Sequence, residues 1–153
     1  MEVASEVAEA LHRLHRLPPS MEFTLPPLDP FVRINERIEA ATVLTAEDRS
    51  WLHQRLADLR DRYSKLPAGL PWCVIHGDAS DTNIAVTSDG TITLLDLQRC
   101  TVGPPEWDLT SMAVELGYRW ISEANYEQFC RCCGHDVTTW DSYENPARSA
   151  NLA

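Results

Sequence analysis

Val3, Val7, Leu11 and Leu14 recur at helical spacing, so the pattern predicts a helix over residues 3–17. It stops at Pro18-Pro19. The stretch to Pro30 carries prolines at 18, 19, 26, 27 and 30 and reads as an extended connection, because proline removes a helix donor. A short helix is expected over residues 31–41. Thr45, followed three residues later by Asp48, has the form of a capping box, in which each side chain bonds the other's backbone N–H. Leu52, Leu56, Leu59, Tyr63 and Leu66 then continue one apolar face until Pro67, Gly69 and Pro71 end the helix.

The period changes at Trp72. Trp72-Cys73-Val74-Ile75 reads as a short buried strand. Asn83 to Thr87 and Thr91 to Leu95 read as two more, joined by Ser88-Asp89-Gly90, a three-residue hairpin loop with glycine last. Helical spacing returns with Leu109, Met112, Ala113, Leu116 and Trp120. Ser122 is placed to cap a last helix that carries Tyr126, Phe129, Cys130 and Cys133 inward and ends at Gly134. These elements predict an α+β fold, mainly helical with a small central strand cluster, over residues 1–141, then an irregular tail over 142–153.

A chain of 153 residues fits one domain and can bury about two-thirds of its unfolded surface. The acidic N-terminus lacks the layout of a signal peptide, and no apolar run approaches the ~18–20 residues of a membrane span, so a cytoplasmic protein with no membrane partner is expected. A formal net charge of −10 argues against nucleic acid as a partner and suits a cationic small molecule. The five cysteines, an odd count, are read as reduced thiols. Cys130, Cys132, Cys133 and His135 crowd together, but Cys130 and Cys133 share the face of Tyr126 and Phe129 and read as core residues, not zinc ligands. No G-x-S-x-G elbow supports a serine hydrolase.

The chemistry concentrates in His76-Gly77-Asp78-Ala79-Ser80-Asp81-Thr82-Asn83 and in Leu94-Leu95-Asp96. If Thr87 faces Thr91 across the hairpin, Asn83 faces Leu95. Asn83 and Asp96 then share its open end, within roughly 5–8 Å at Cβ. Asp78 lies in the short loop that enters the same end. Two carboxylates and an amide oxygen suit Mg²⁺, which takes one or two carboxylates plus substrate phosphates. A group left off the metal could accept a proton from a hydroxyl, the division of labour that phosphoryl transfer uses. Ser80 and Asp81 read as solvated loop residues.

The HGDASDTN stretch resembles the catalytic-loop pattern H-x-D-x-x-x-x-N of aminoglycoside phosphotransferases, choline kinases and, more distantly, protein kinases. LLDLQ resembles their magnesium-binding strand end, and Gly103-Pro104-Pro105-Glu106-Trp107-Asp108-Leu109 resembles the GPP-x-x-DL segment of the bacterial members. Leu14-His15-Arg16-Leu17-Pro18 looks like the end of an earlier helix in that group. The resemblance implies the C-terminal lobe of a protein-kinase-like fold, with ATP as co-substrate, Mg²⁺ as cofactor and a small-molecule hydroxyl as acceptor. Asp78 would be the catalytic base or the residue that orients the hydroxyl, Asn83 and Asp96 the metal ligands, and His76 and Asp108 structural supports.

Two parts of such an enzyme are missing from the sequence. The six glycines are at least eight residues apart, so no phosphate-covering glycine loop can be drawn, and the only lysine is Lys65. In the resembling family an N-terminal nucleotide lobe supplies both and would precede residue 1. The expectation is a truncated chain with little activity alone, completed by a separate N-terminal lobe or self-associating. The alternative reading is a non-catalytic kinase-like binding or regulatory module.

Overall fold

The computed structural model describes residues 3–18 and 24–140. The expected tail over 142–153 lies outside the described residues, as do the side chains of Val3 and of Asp81, which was read as solvated. The chain divides into two compact units, one of them Asp29–Ala68 and the other made of the segments on either side of it.

The Asp29–Ala68 unit holds α2 (Ile34–Ala40) and α3 (Ala46–Ser64). The capping box forms as expected: Asp48 N–H donates to Thr45 Oγ1 at 3.1 Å, and Thr45 N–H donates to the Asp48 carboxylate at 3.3 Å. The Arg49 guanidinium then ties the helices together, donating to the carbonyls of Ile38 and, at 3.1 Å, Ala41. The apolar face of α3 is narrower than its spacing suggests. Leu56 is buried, but Leu59 and Leu66 are exposed, because α2 has only seven residues and Ile38 is its one buried side chain.

The larger unit contains α1 (Val3–His15), β1 (Cys73–Ile75), β2 (Ile84–Val86), β3 (Ile92–Leu94), β4 (Thr101–Gly103), α4 (Glu106–Gly117) and α5 (Glu123–Cys133). Its core joins Val7, Ala8 and Leu11 of α1 to Leu109 and Ala113 of α4 and to Tyr126 and Phe129 of α5, with Ala79 and Val137. At about 1.5–3 kcal/mol for each large apolar side chain fully buried, this cluster is the main force holding α1 against α5. Ser122 and Gly134 bound α5 as expected, the serine accepting from Asn125 N–H at 3.2 Å and the glycine turning left-handed at φ 73°.

The strands form two separate antiparallel pairs in place of one cluster. The hairpin keeps the expected register, with Ile84 opposite Leu94 and Val86 opposite Ile92. The sequence reading missed β4, which pairs with β1 so that Val74 faces Val102. The proline-rich connection flanks β4 as well: Val102 N–H donates to Pro26 O at 2.9 Å, and Leu28 N–H donates to Val102 O at 2.8 Å.

Helix α4 ends earlier than its periodicity suggests. Arg119 turns left-handed at φ 61°, Arg119 N–H donates to Leu116 O at 2.9 Å and Trp120 N–H to Glu115 O at 2.9 Å, the bond pair of a Schellman stop. Trp120 therefore leaves the core face, 74% exposed and stacked on Tyr118. Among the described residues no helix is long and apolar enough to cross a membrane.

Candidate active site

Strand β1 delivers its next residues into the core. His76 is fully buried, and its Nε2 lies 2.8 Å from Leu95 O while Asp78 N–H donates to its Nδ1 at 3.3 Å. A carbonyl can only accept and an N–H only donate, so these two bonds specify the tautomer with the proton on Nε2. His76 thereby joins the loop before Asp78 to the end of the hairpin.

Gly77 follows at φ 81°, and an added Cβ would collide with Arg99 O. A non-glycine residue here would suffer both the left-handed backbone and the clash. The Gly77 main chain is held on both sides: its N–H donates to Asp108 Oδ1 at 2.9 Å, and its carbonyl accepts from Trp107 Nε1 at 3.1 Å.

Asp108, 1% exposed in the first turn of α4, is the hub of this arrangement. Its Oδ2 accepts from His76 N–H at 2.8 Å and from His15 Nε2 at 2.9 Å. Its charge is thus met by three donors and by the positive end of α4. Glu106, one turn edge away, is equally buried; its Oε1 accepts from Leu70 N–H at 2.5 Å.

The loop then brings Asp78 beside Asn83. The Asp78 carbonyl accepts from Ser80 N–H at 2.8 Å and from Asn83 Nδ2 at 2.9 Å. Asn83 ends a 3₁₀ turn, Asp81–Asn83, and its own carbonyl accepts from Leu95 N–H at 2.8 Å. That bond puts Asp96 next to Asn83 at the open end of the β2–β3 hairpin. Asp96 takes a left-handed conformation, φ 55° and ψ 55°, which costs of order 1–3 kcal/mol for a non-glycine residue, with aspartate among those that tolerate it. Its side chain is exposed and has no bonding partner among the described residues.

The donor set fits Mg²⁺. Asn83 spends its NH₂ on the loop and keeps Oδ1 for another partner, and Asp96 has a free carboxylate beside it. Among the described residues no group of three or more His, Cys, Asp or Glu could hold a metal ion, so any Mg²⁺ held at Asn83 and Asp96 would take its remaining ligands from water or substrate.

Three residues escaped the sequence reading. Arg99 Nη1 comes within 3.9 Å of Asp78 Oδ2, both side chains about half exposed. His15 and Glu106 were visible only as parts of motifs, with no role of their own. The signal for Arg99 was its place just after Asp96, in the turn Leu97–Arg99 that faces the Gly77 backbone.

The family model described as the phosphotransferase enzyme family (APH) matches residues 2–144. The chain belongs to this phosphotransferase family. Solved structures agree in fold. A type VIII aminoglycoside-3'-phosphotransferase is 24% identical, with 97% of this chain and 57% of that one covered and a TM-score of 0.61. A spectinomycin phosphotransferase solved with ADP and spectinomycin is 17% identical, with 88% and 47% covered and a TM-score of 0.60. A choline/ethanolamine kinase family protein from Mesorhizobium loti is 19% identical, with 88% and 44% covered and a TM-score of 0.58. The chain spans about half the length of these structures. No curated protein matches the sequence.

Proposed function

We propose that this chain is the catalytic, C-terminal-lobe portion of an ATP- and magnesium-dependent kinase that phosphorylates a hydroxyl of a small molecule. The observation that carries the reading is the Asn83–Asp96 pair at the open end of the hairpin, tied to Asp78 through the Asn83 amide. Asn83 Oδ1 and the Asp96 carboxylate would hold Mg²⁺, which neutralises and orients the phosphates when bound. Asp78 would orient the acceptor hydroxyl and take its proton. Arg99, beside Asp78, would help to aim that carboxylate. His76 and Asp108 would act as positioning residues, since both are buried and both bond the loop, which Asp108 also ties to His15 of α1.

The ADP bound to the spectinomycin phosphotransferase supports a nucleoside triphosphate as donor. A net charge of −10 favours a cationic acceptor. Phosphate-covering glycines and a phosphate-neutralising lysine are not among these 153 residues in usable positions: Lys65, the only lysine, is paired with Asp61 at 2.6 Å on α3. Turnover by the chain alone is therefore expected to be weak, and this feature favours a non-catalytic binding module as the second reading.

Titration calorimetry of Mg²⁺-ATP against the chain and its Asp96→Ala variant separates the two. Metal-dependent binding that Asp96→Ala abolishes is the expected result. Absence of binding to the unsubstituted chain would remove the kinase reading and leave the second.

A further inference from the structure

A cleft of about 220 Å³ opens beside the C-terminal end of α1, apart from the residues assigned to phosphoryl transfer: none of Asp78, Asn83 or Asp96 lines it. One wall is apolar, built by Leu70, Pro105 and Leu109, and the rim carries His12, His15 and Arg16. His12 and Arg16 are four apart on α1 and its last turn, so they project on one side.

Their pairing state distinguishes them. Arg13, between them in sequence, is paired with Glu9 at 3.8 Å, and His15 bonds Asp108. His12 and Arg16 have no partner among the described residues. A basic residue near a helix C-terminus is favourable through the helix dipole alone. That accounts for the charge but not for an apolar cleft beside it.

The wall also holds two thiols, Cys73 and Cys133. Burial pushes the Cys73 thiol up to about 11, with the nearby Asp108 and Glu106 carboxylates adding to it. Burial likewise pushes Cys133 up to about 12, with Cys130 and Cys132 contributing. Both therefore stay neutral and present soft, polarisable surface. The two buried carboxylates lie behind Cys73, so the interior of the cleft does not suit negative charge, whereas the rim does.

We propose that the cleft binds a small amphiphilic anion, an aryl or short alkyl carboxylate, with its apolar body against Leu70, Pro105 and Leu109 and its carboxylate at Arg16 and His12. The volume is below the ~300–1,000 Å³ of drug-sized pockets and suits a single ring with one anionic group. An occupant at this rim also meets His15, whose bond to Asp108 leads directly to the Gly77 N–H.

The test is a titration of the full chain with benzoate, acetate and benzylamine, without nucleotide or metal, followed by calorimetry and amide proton–nitrogen NMR. Saturable benzoate binding is expected, moving the amides of Leu70, Cys73, Leu109 and Gly77, with acetate and benzylamine at least about tenfold weaker. Arg16→Ala is expected to weaken benzoate by about tenfold and Arg16→Lys by much less, each with an otherwise unchanged spectrum. Benzylamine binding as tight as benzoate, an Arg16→Ala variant that binds benzoate normally, or no saturable binding would each overturn the proposal. Because no ATP or Mg²⁺ is present, failure here is separate from failure of the kinase reading.

Discussion

The Asn83 side-chain amide donates to the main-chain carbonyl of Asp78 at 2.9 Å, so the residue proposed to hold the metal also fixes the loop that carries the proposed base. The carbonyl can only accept, which makes Nδ2 the atom facing it. Asn83→Ala is expected to lower unfolding free energy by about 1 kcal/mol. Asn83→Asp should cost more, about 1–3 kcal/mol, because two acceptors then face each other, even though it adds a carboxylate to a metal site. Urea denaturation of both variants checks the order; a more stable aspartate variant would show that the loop bond contributes nothing.

Asp108 accepts from two buried backbone N–H groups and from His15. Asp108→Ala leaves those donors without a partner, and the expected loss is about 3–5 kcal/mol, enough to unfold much of a marginal domain. Asp108→Asn keeps one acceptor oxygen and turns an NH₂ toward a donor, so about 2 kcal/mol is expected. His15→Ala removes only one of the three donors and should cost the least. Thermal unfolding of the three variants reads this order directly, and equal losses would contradict the hub arrangement.

Much of this arrangement was legible from spacing. The register of the hairpin follows from the loop length, and it alone predicts that Asn83 faces Leu95, as the Leu95 N–H to Asn83 O bond shows. The caps at Thr45, Ser122 and Gly134 were legible for the same reason, since each is a local interaction within four residues. Strand β4 was not. It is three residues long, begins just after the turn Leu97–Arg99, and forms by pairing with a strand some thirty positions earlier, which no local pattern encodes. The burial of Glu106 was not legible, and the support role of Asp108 came only through the family resemblance, because acids are buried only when donors from distant segments meet them. The end of α4 was misjudged because a left-handed arginine, where glycine usually stands, supplies its stop.

Gly77 combines a positive φ with a carbonyl, that of Arg99, in the space a Cβ would fill. The left-handed backbone costs about 1–2 kcal/mol for alanine and the clash adds to it, so Gly77→Ala is expected to lose more than about 2 kcal/mol. Gly90→Ala is the control: its φ is 85° but no atom of the described residues lies within 4 Å of an added Cβ, so the backbone penalty acts alone. A Gly90 variant as damaged as the Gly77 variant would show that the Arg99 contact is unimportant.

The raised thiols of Cys73 and Cys133 make a chemical prediction. Alkylation goes through the thiolate, so at about pH 7.5 each is expected to react with iodoacetamide at least about a hundredfold more slowly than an ordinary thiol. Mass spectrometry of briefly labelled native protein should find the adduct on exposed Cys132 first. Rapid modification of Cys73 would mean that its surroundings open in solution.

Asp136 and Tyr126 make the stability of the larger unit pH-dependent. Burial alone would raise the Asp136 carboxyl, but hydrogen bonds from Thr138 and from the Tyr126 hydroxyl, the latter at 2.8 Å, outweigh it and hold the carboxyl below its ordinary value. Burial first, and this bond next, push the tyrosine hydroxyl up, so it remains a donor throughout. A carboxyl lowered by folding contributes stability that is present above its unfolded value of about 3.9 and is lost as pH falls through the lower folded value. Tyr126→Phe keeps the ring stacked on Phe129 and removes only the hydroxyl bond. The expected loss is about 1 kcal/mol at neutral pH, shrinking in acid as pH falls through the lowered Asp136 value and the carboxyl protonates in the unsubstituted chain too. Urea unfolding of the pair at both pH values decides it, because a loss of equal size at the two would mean that the tyrosine acts through packing and not through the carboxylate.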